Sequence, residues 1–280
     1  MNNKIGVMQG RLLPKYQGRY QAHPVGYWEN EFFVAREIGL DCIEFIIDYE
    51  NAEDNPLIKD GGIDEIKAVV KQTGVTVKTI CADYFMEAPL HSENIEIADS
   101  SQKLMISLLN NAAKLGVTDI VIPCVDQSTL ADLEAADRFV EKLSPVVVVA
   151  EKYGINLSLE TDLAPQPFVE LIERFNSNKV TVNYDTGNSA SLGYNPVEEL
   201  EAYGDKITDI HIKDRILNGG PVILGQGDVN FDSFFKKLSE IDYQGPFIMQ
   251  AYRDEEGVSV FKSQLEWVKV YFSSLYDKKY

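Results

Sequence analysis

Gly154-Ile155-Asn156-Leu157-Ser158-Leu159-Glu160 alternates strictly, with Ile155, Leu157 and Leu159 on one face and Asn156, Ser158 and Glu160 on the other. That period of two is a strand, and the glycine before it suits the left-handed residue that closes a helix. The same grammar of helix end, glycine and strand stands at Gly39, Gly74 and Gly116 and returns at Gly204 and Gly245. With Lys4 to Met8 at the start and Val180 to Asp185 in the middle, eight strands are expected, beginning near residues 4, 41, 75, 118, 155, 180, 207 and 246. Helical stripes fill the gaps, such as Ile63, Ile66, Val69 and Val70 after Gly62, or Phe168, Leu171, Ile172 and Phe175 after Pro165. Eight such units in 280 residues with no Ser/Gly/Pro linker predict one domain, residues 1–280, folded as a single-domain (β/α)8 TIM barrel. A doubly wound open sheet is the alternative. Pro145 is expected to kink or split the helix of Leu130 to Tyr153, and Pro89 to Leu115 to carry a loop before its helix.

Parity extends the reading from fold to chemistry. In strand 6, Thr181, Asn183 and Asp185 oppose Val180, Val182 and Tyr184; in strand 7, Asp209, His211 and Lys213 oppose Ile210 and Ile212. The apolar faces belong under the helices, so polar faces of three successive strands point into the lumen. Charged groups there must be paired, solvated or bound to a cation, because burying one alone costs several kcal/mol. Glu160, Asp185 and His211 lie at C-terminal strand ends, where barrel enzymes keep their sites. Two carboxylates and an imidazole suit one divalent ion, Mn²⁺, Co²⁺, Mg²⁺ or Zn²⁺.

Composition removes other classes. With 26 Lys+Arg against 44 Asp+Glu, the net charge of −18 repels nucleic acid. No apolar run is long enough to span a membrane, and Met1-Asn2-Asn3-Lys4 leads into a strand rather than a signal peptide, so a soluble cytoplasmic protein is expected. Cys42, Cys81 and Cys124, an odd number within strands, read as reduced core residues. Nucleotide-binding, HExxH and calcium-loop motifs are absent.

Four segments then carry a resemblance: Leu157-Ser158-Leu159-Glu160-Thr161, Asn183-Tyr184-Asp185-Thr186-Gly187-Asn188, Asp209-Ile210-His211-Ile212-Lys213-Asp214 and Gly225-Gln226-Gly227-Asp228-Val229-Asn230-Phe231. In this order they resemble the xylose isomerase-like barrels, which include sugar-phosphate isomerases and epimerases. Gly6-Val7-Met8-Gln9-Gly10-Arg11-Leu12 and the run from Ile38 to Glu44 also look like a branch of that family. The resemblance implies one divalent ion held by Glu160, Asp185, His211 and a residue of strand 8. Gln250 stands where the family commonly has a second glutamate, and an amide cannot take a proton at neutral pH. A mirrored pair of glutamates is therefore replaced by a single base acting through a metal-stabilised enediolate, or by Lys213 as second proton carrier.

On this reading Glu160 and Lys213 are the catalytic candidates, and the substrate is a small-molecule sugar or sugar phosphate. Glu44 orients a hydroxyl or serves as an ion-pair partner, and Asn188 bonds sugar or bound water. Arg11, Lys213, Arg215 and Arg253, all just after strands, offer a cationic pocket to an anionic substrate. His23 and His91 read as loop residues. Tyr16, Tyr20, Tyr27 and Trp28 either wall the sugar or pack the first loop down. The last helix, Val258 to Tyr276, forms a barrel layer or the contact of a homo-oligomer. The alternatives are a metal-dependent dehydratase of a cyclic polyol or dehydroshikimate-like acid, and a sugar-binding barrel without acid and base. The endonuclease branch, with its histidine-rich multi-zinc centre, is excluded by a total of three histidines.

Overall fold

A computed structural model describes residues 3–253 and 257–274. Eight parallel strands close into a barrel: β1 (Ile5–Met8), β2 (Cys42–Ile46), β3 (Thr76–Cys81), β4 (Asp119–Cys124), β5 (Asn156–Thr161), β6 (Val180–Asp185), β7 (Ile207–Ile212) and β8 (Phe247–Met249). Each pairs with its neighbours in sequence, and Ile5 opposite Phe247 with Val7 opposite Met249 completes the ring. Closure excludes the open sheet. Every strand begins within one residue of its expected start.

The glycines act for two reasons. Gly74, Gly116 and Gly154 follow helices with φ of 77°, 73° and 70°, the left-handed conformation expected of them. Gly204 is right-handed at φ −58° and opens a short 3-10 turn, while a Cβ on Gly245 would stand 2.3 Å from the Thr208 carbonyl oxygen. At these two positions the expected left-handed turn is absent; Gly245 is instead the residue that lets the backbone pass.

The helix containing Pro145 runs unbroken from Leu133 to Tyr153. Pro145 lies on its exposed side, and of the two expected effects the split does not occur. The helix Ile95–Leu115 is preceded by a loop and capped by Asn94, whose side chain accepts from the Glu96 N–H. The last helix spans Val258–Ser274, and its expected continuation to Tyr276 lies outside the described residues, as do Met1 and Asn2 of the opening segment. One element was not expected, the antiparallel hairpin of Asp214–Arg215 with Pro221–Val222 after β7.

Outward-facing strand residues such as Ile122, Leu157, Leu159 and Ile210 are buried under the helices in one continuous core. Each is worth about 1.5–3 kcal/mol relative to exposure, which is what holds the parity in place. Inside the ring a small apolar cluster of Met8, Cys42, Ile46, Cys81, Val121 and Ile248 fills one side. The other side is polar, as parity required. A register shift between Val182 and Asn183 admits Thr208 to that side, where its hydroxyl lies 3.0 Å from Ser158 Oγ and 2.8 Å from Thr181 Oγ1. Cys42, Cys81 and Cys124 are free and buried. Among the described residues no helix is long and apolar enough to cross a membrane.

Candidate metal centre

β5, β6 and β7 bring Glu160, Asp185 and His211 together at their C-terminal ends, with one ligand atom of each within 4.8 Å of the other two. Asp185 ends its strand because it caps the helix Thr186–Leu192, accepting the Asn188 N–H at 2.8 Å through Oδ1. That leaves Oδ2 for the lumen. Thr186 ties the ends of β6 and β7 together by donating to the Lys213 carbonyl at 2.6 Å. Gly187 clears the way for Lys213, since a Cβ there would stand 2.8 Å from the lysine Cγ.

His211 is wholly buried, and its Nε2 lies 2.7 Å from Glu44 Oε1. Glu44 also accepts from Thr79 Oγ1 at 2.6 Å. Donation to a carboxylate fixes the tautomer and turns Nδ1 toward Asp185 Oδ2 at 3.8 Å and Glu160 Oε2 at 3.9 Å. Of the two roles expected of Glu44, its geometry fits the ion-pair partner: it is completely buried against the imidazole. Asn188 bridges the other carboxylate, donating to Glu160 Oε1 at 2.6 Å while its oxygen receives Arg215 at 2.9 Å and Lys213 at 3.4 Å. Lys213 Nζ is also 3.6 Å from Asp185 Oδ2.

Three ligand-type atoms are buried with no hydrogen-bond partner in the protein: Asp185 Oδ2 and His211 Nδ1, beyond the ionic contacts just given, and Gln250 Oε1 on the residue that follows β8. Buried acceptors lacking hydrogen-bond donors invite a cation, and two carboxylates, an imidazole and an amide oxygen are a donor set that a divalent ion accepts. The fit is thus good on chemistry and on satisfaction alike.

The charges bear this out. Burial, joined by the Asp185 charge, pushes the Glu160 carboxyl up to about 7. Asp185 is buried too, yet Lys213 and His211 hold it down to about 2. Burial alone would lower His211, but Glu44 and Asp185 hold its proton affinity well above the usual imidazole range. Surroundings that favour a proton on that nitrogen favour a divalent cation in its place.

The remaining candidates divide by position. Lys213 and Arg215 flank the site through Asn188. Arg11 and Arg253 brace the first loop: Arg11 donates to the Ala251 carbonyl at 3.3 Å and to Gln21 at 3.1 Å, and Arg253 reaches the carbonyls of Leu13 and Gly257 and lies 4.3 Å from the Tyr20 ring. Trp28 packs on Phe32 and Phe45, and Tyr27 bonds the carbonyls of Pro14 and Lys15, so these aromatics pack the loop down. His23 is buried against Phe45 and Trp28, where burial lowers it to about 3; His91 is buried against Phe139.

Two polar residues escaped the sequence reading. Gln21 accepts from Gln250 Nε2 at 2.7 Å and donates to Asp83 at 3.1 Å. Asp83 follows β3 directly, a position that could have marked it; Gln21 stands in a loop with no periodicity to reveal it. Asp83 also forms a wall of a cavity of about 790 Å³ lined by Arg19, Asp48, Glu50 and Glu87.

Comparison with known proteins agrees with this fold. A family model described as the xylose isomerase-like TIM barrel matches residues 32–271. SgbU of Haemophilus influenzae, whose name marks it as a candidate L-ribulose-5-phosphate 3-epimerase, is 27% identical over 285 residues, covering 95% of each chain. UlaE of Escherichia coli O1:K1, an L-ribulose-5-phosphate 3-epimerase, is 24% identical over 266 residues, covering 89% of this chain and 92% of its own. The crystal structure of the IOLI protein with a bound zinc atom shares the fold at a TM-score of 0.72 and 18% identity, over 99% of each chain. With its closed barrel, its strand-end carboxylates and a family match over most of its length, the chain belongs to the xylose isomerase-like TIM barrel family.

Proposed function

We propose that this protein is a divalent-metal-dependent sugar or sugar-phosphate epimerase or isomerase that moves a proton at the carbon beside a carbonyl. The observation that carries the reading is the set of buried ligand atoms on Asp185, His211 and Gln250 that have no hydrogen-bond partner in the protein, with the Glu160 carboxylate beside the first two. The names of the relatives favour epimerisation over loss of water.

Glu160, Asp185, His211 and Gln250 would hold the ion. When bound, a divalent ion supplies Lewis acidity that polarises the substrate oxygens and acidifies the neighbouring C–H. Glu160 is the carboxylate base that takes that proton. Asn188, fixed by Arg215, aims Glu160 by holding its Oε1. Gln250 neither takes up nor gives up a proton at neutral pH, so in this reading the Lys213 ammonium delivers a proton to the opposite face of the carbon, after which Glu160 releases its proton to solvent and Lys213 takes one back. The electron pair released from the C–H bond moves onto the carbonyl oxygen and back, so the reaction is redox-neutral.

Substrate orientation follows from charge. Lys213 and Arg215 suit a phosphate, while the cavity bounded by Asp48, Glu50, Asp83 and Glu87 repels one and accepts donated hydroxyl hydrogen bonds.

Elemental analysis of purified native protein beside the Asp185→Ala/His211→Ala variant is the direct test, with about one divalent ion per chain expected in the native protein and none in the variant. L-ribulose 5-phosphate and unphosphorylated ketoses incubated with the metal-loaded native protein in D2O should gain deuterium at one carbon by NMR. A native protein that takes up neither Mn²⁺, Co²⁺ nor Zn²⁺ sinks the proposal.

A further inference from the structure

The oxygen and nitrogen of a glutamine amide are alike in size, so its neighbours decide which end points where. Around Gln250 the decision can be traced. The Arg11 guanidinium only donates, so the Gln21 atom it meets at 3.1 Å is the oxygen. That oxygen also meets Gln250 at 2.7 Å, which makes the Gln250 atom the nitrogen. Asp83 agrees from the far side, its Oδ2 accepting Gln21 Nε2 at 3.1 Å. Gln250 Oε1 is thereby left buried with no protein partner.

We infer that Gln21 is a positioning residue for the metal site, locking Gln250 with its oxygen rather than its nitrogen presented as ligand, so that Gln21 and Gln250 are a matched pair. This rests on the metal-dependent reading above. It also carries a consequence for the exchange of Gln250 for the acidic residue. A glutamate at 250 would set a carboxylate oxygen against Gln21 Oε1, acceptor against acceptor. Gln21 cannot turn its amide to help, because the turn would aim its N–H groups at Arg11 and its oxygen at Asp83. Extra negative charge on a ligand ordinarily tightens a divalent ion, and here the first loop opposes that gain.

The test is a Co²⁺ titration followed by visible absorption on four proteins: native, Gln21→Met, Gln250→Glu and the double variant. Methionine keeps the length of residue 21 and removes its acceptor. Gln21→Met should weaken Co²⁺ binding roughly tenfold or more, as loss of an outer partner of a ligand typically does, and should alter the Co²⁺ absorption bands. Gln250→Glu should tighten Co²⁺ by less than about threefold in the native background and by about tenfold more than that in the Gln21→Met background. Thermal unfolding in EDTA checks that each variant folds; Gln21→Ser, which leaves room for water, takes the place of a Gln21→Met that does not. Native affinity and native bands in the position-21 variant, or equal gains from Gln250→Glu in both backgrounds, would overturn the inference. A native protein that binds no Co²⁺ overturns it together with the metal reading, whereas a native protein that binds Co²⁺ without regard to residue 21 overturns this inference alone.

Discussion

The polar side of the barrel lumen has two layers, and they treat their hydrogen bonds differently. In the lower layer Ser158 Oγ lies 3.0 Å from Asp119 Oδ1, 2.9 Å from Thr181 Oγ1 and 3.0 Å from Thr208 Oγ1, and Asn156 gives Asp119 a further bond at 2.9 Å. These groups satisfy one another. In the upper layer Asp185 Oδ2 and His211 Nδ1 face each other at 3.8 Å, and neither has a hydrogen-bond partner in the protein. Both layers are buried, and β6 and β7 contribute to both, Thr181 and Thr208 below and Asp185 and His211 above. The difference teaches that polarity in a lumen does not by itself make a site; Asn183 Oδ1 and Asp209 Oδ1 also lack hydrogen-bond partners, and the upper layer differs in joining such atoms to a second carboxylate, Glu160, at the strand ends.

Four changes would break or sharpen this contrast. Glu160→Gln keeps an oxygen in the upper layer but removes the proton carrier, so turnover should fall by about 10² to 10⁴ while metal content is largely retained. Deuterium exchange read beside elemental analysis checks it, and unchanged exchange would move the base elsewhere.

Glu31 offers a buried carboxylate outside the lumen, satisfied by the N–H groups of Gly10 at 2.7 Å and Leu12 at 2.9 Å. Burial nonetheless pushes it up from 4.5 to about 7. A raised acid favours the folded state while protonated, so its contribution is complete below its ordinary value and fades as pH rises through about 7. Urea unfolding at fixed metal load should show a loss on the order of 2–3 kcal/mol from this group between about pH 5 and pH 8. Glu31→Gln should flatten that slope; a slope identical to native would assign it to other groups.

Glu44→Gln keeps the size of the side chain that holds His211 but lets its amide donate where an acceptor is needed. Metal affinity should drop roughly 10- to 100-fold, read by Co²⁺ titration, with the fold intact by circular dichroism. The smallest effect belongs to the satisfied layer: Thr181→Val should cost about 1 kcal/mol of stability and leave metal content at the native value. A loss of metal from that variant would erase the distinction between the layers.

Much of the fold was written locally. The alternation at Asn156 to Glu160 and at Thr181 to Asp185 needs only a strand with one face under helices, and the glycines at 74, 116 and 154 announce their turns within a few residues. Glu160, Asp185 and His211 were legible for the same reason, since parity at successive strand ends is a property of the chain itself. The split expected at Pro145 does not occur, and the sequence does not say that the proline lies on the exposed side of its helix.

The sequence by itself therefore determined the barrel and the side of it that is polar, because periodicity and turn chemistry act between near neighbours. Only the tertiary structure decided which polar groups face a partner. Glu44 and His211 are 167 residues apart and meet across the lumen, and Gln21 and Gln250 are 229 apart and meet where the first loop covers the last strand's end. Hydrogen-bond satisfaction is set by atoms that closure of the ring brings together, and no local pattern records it.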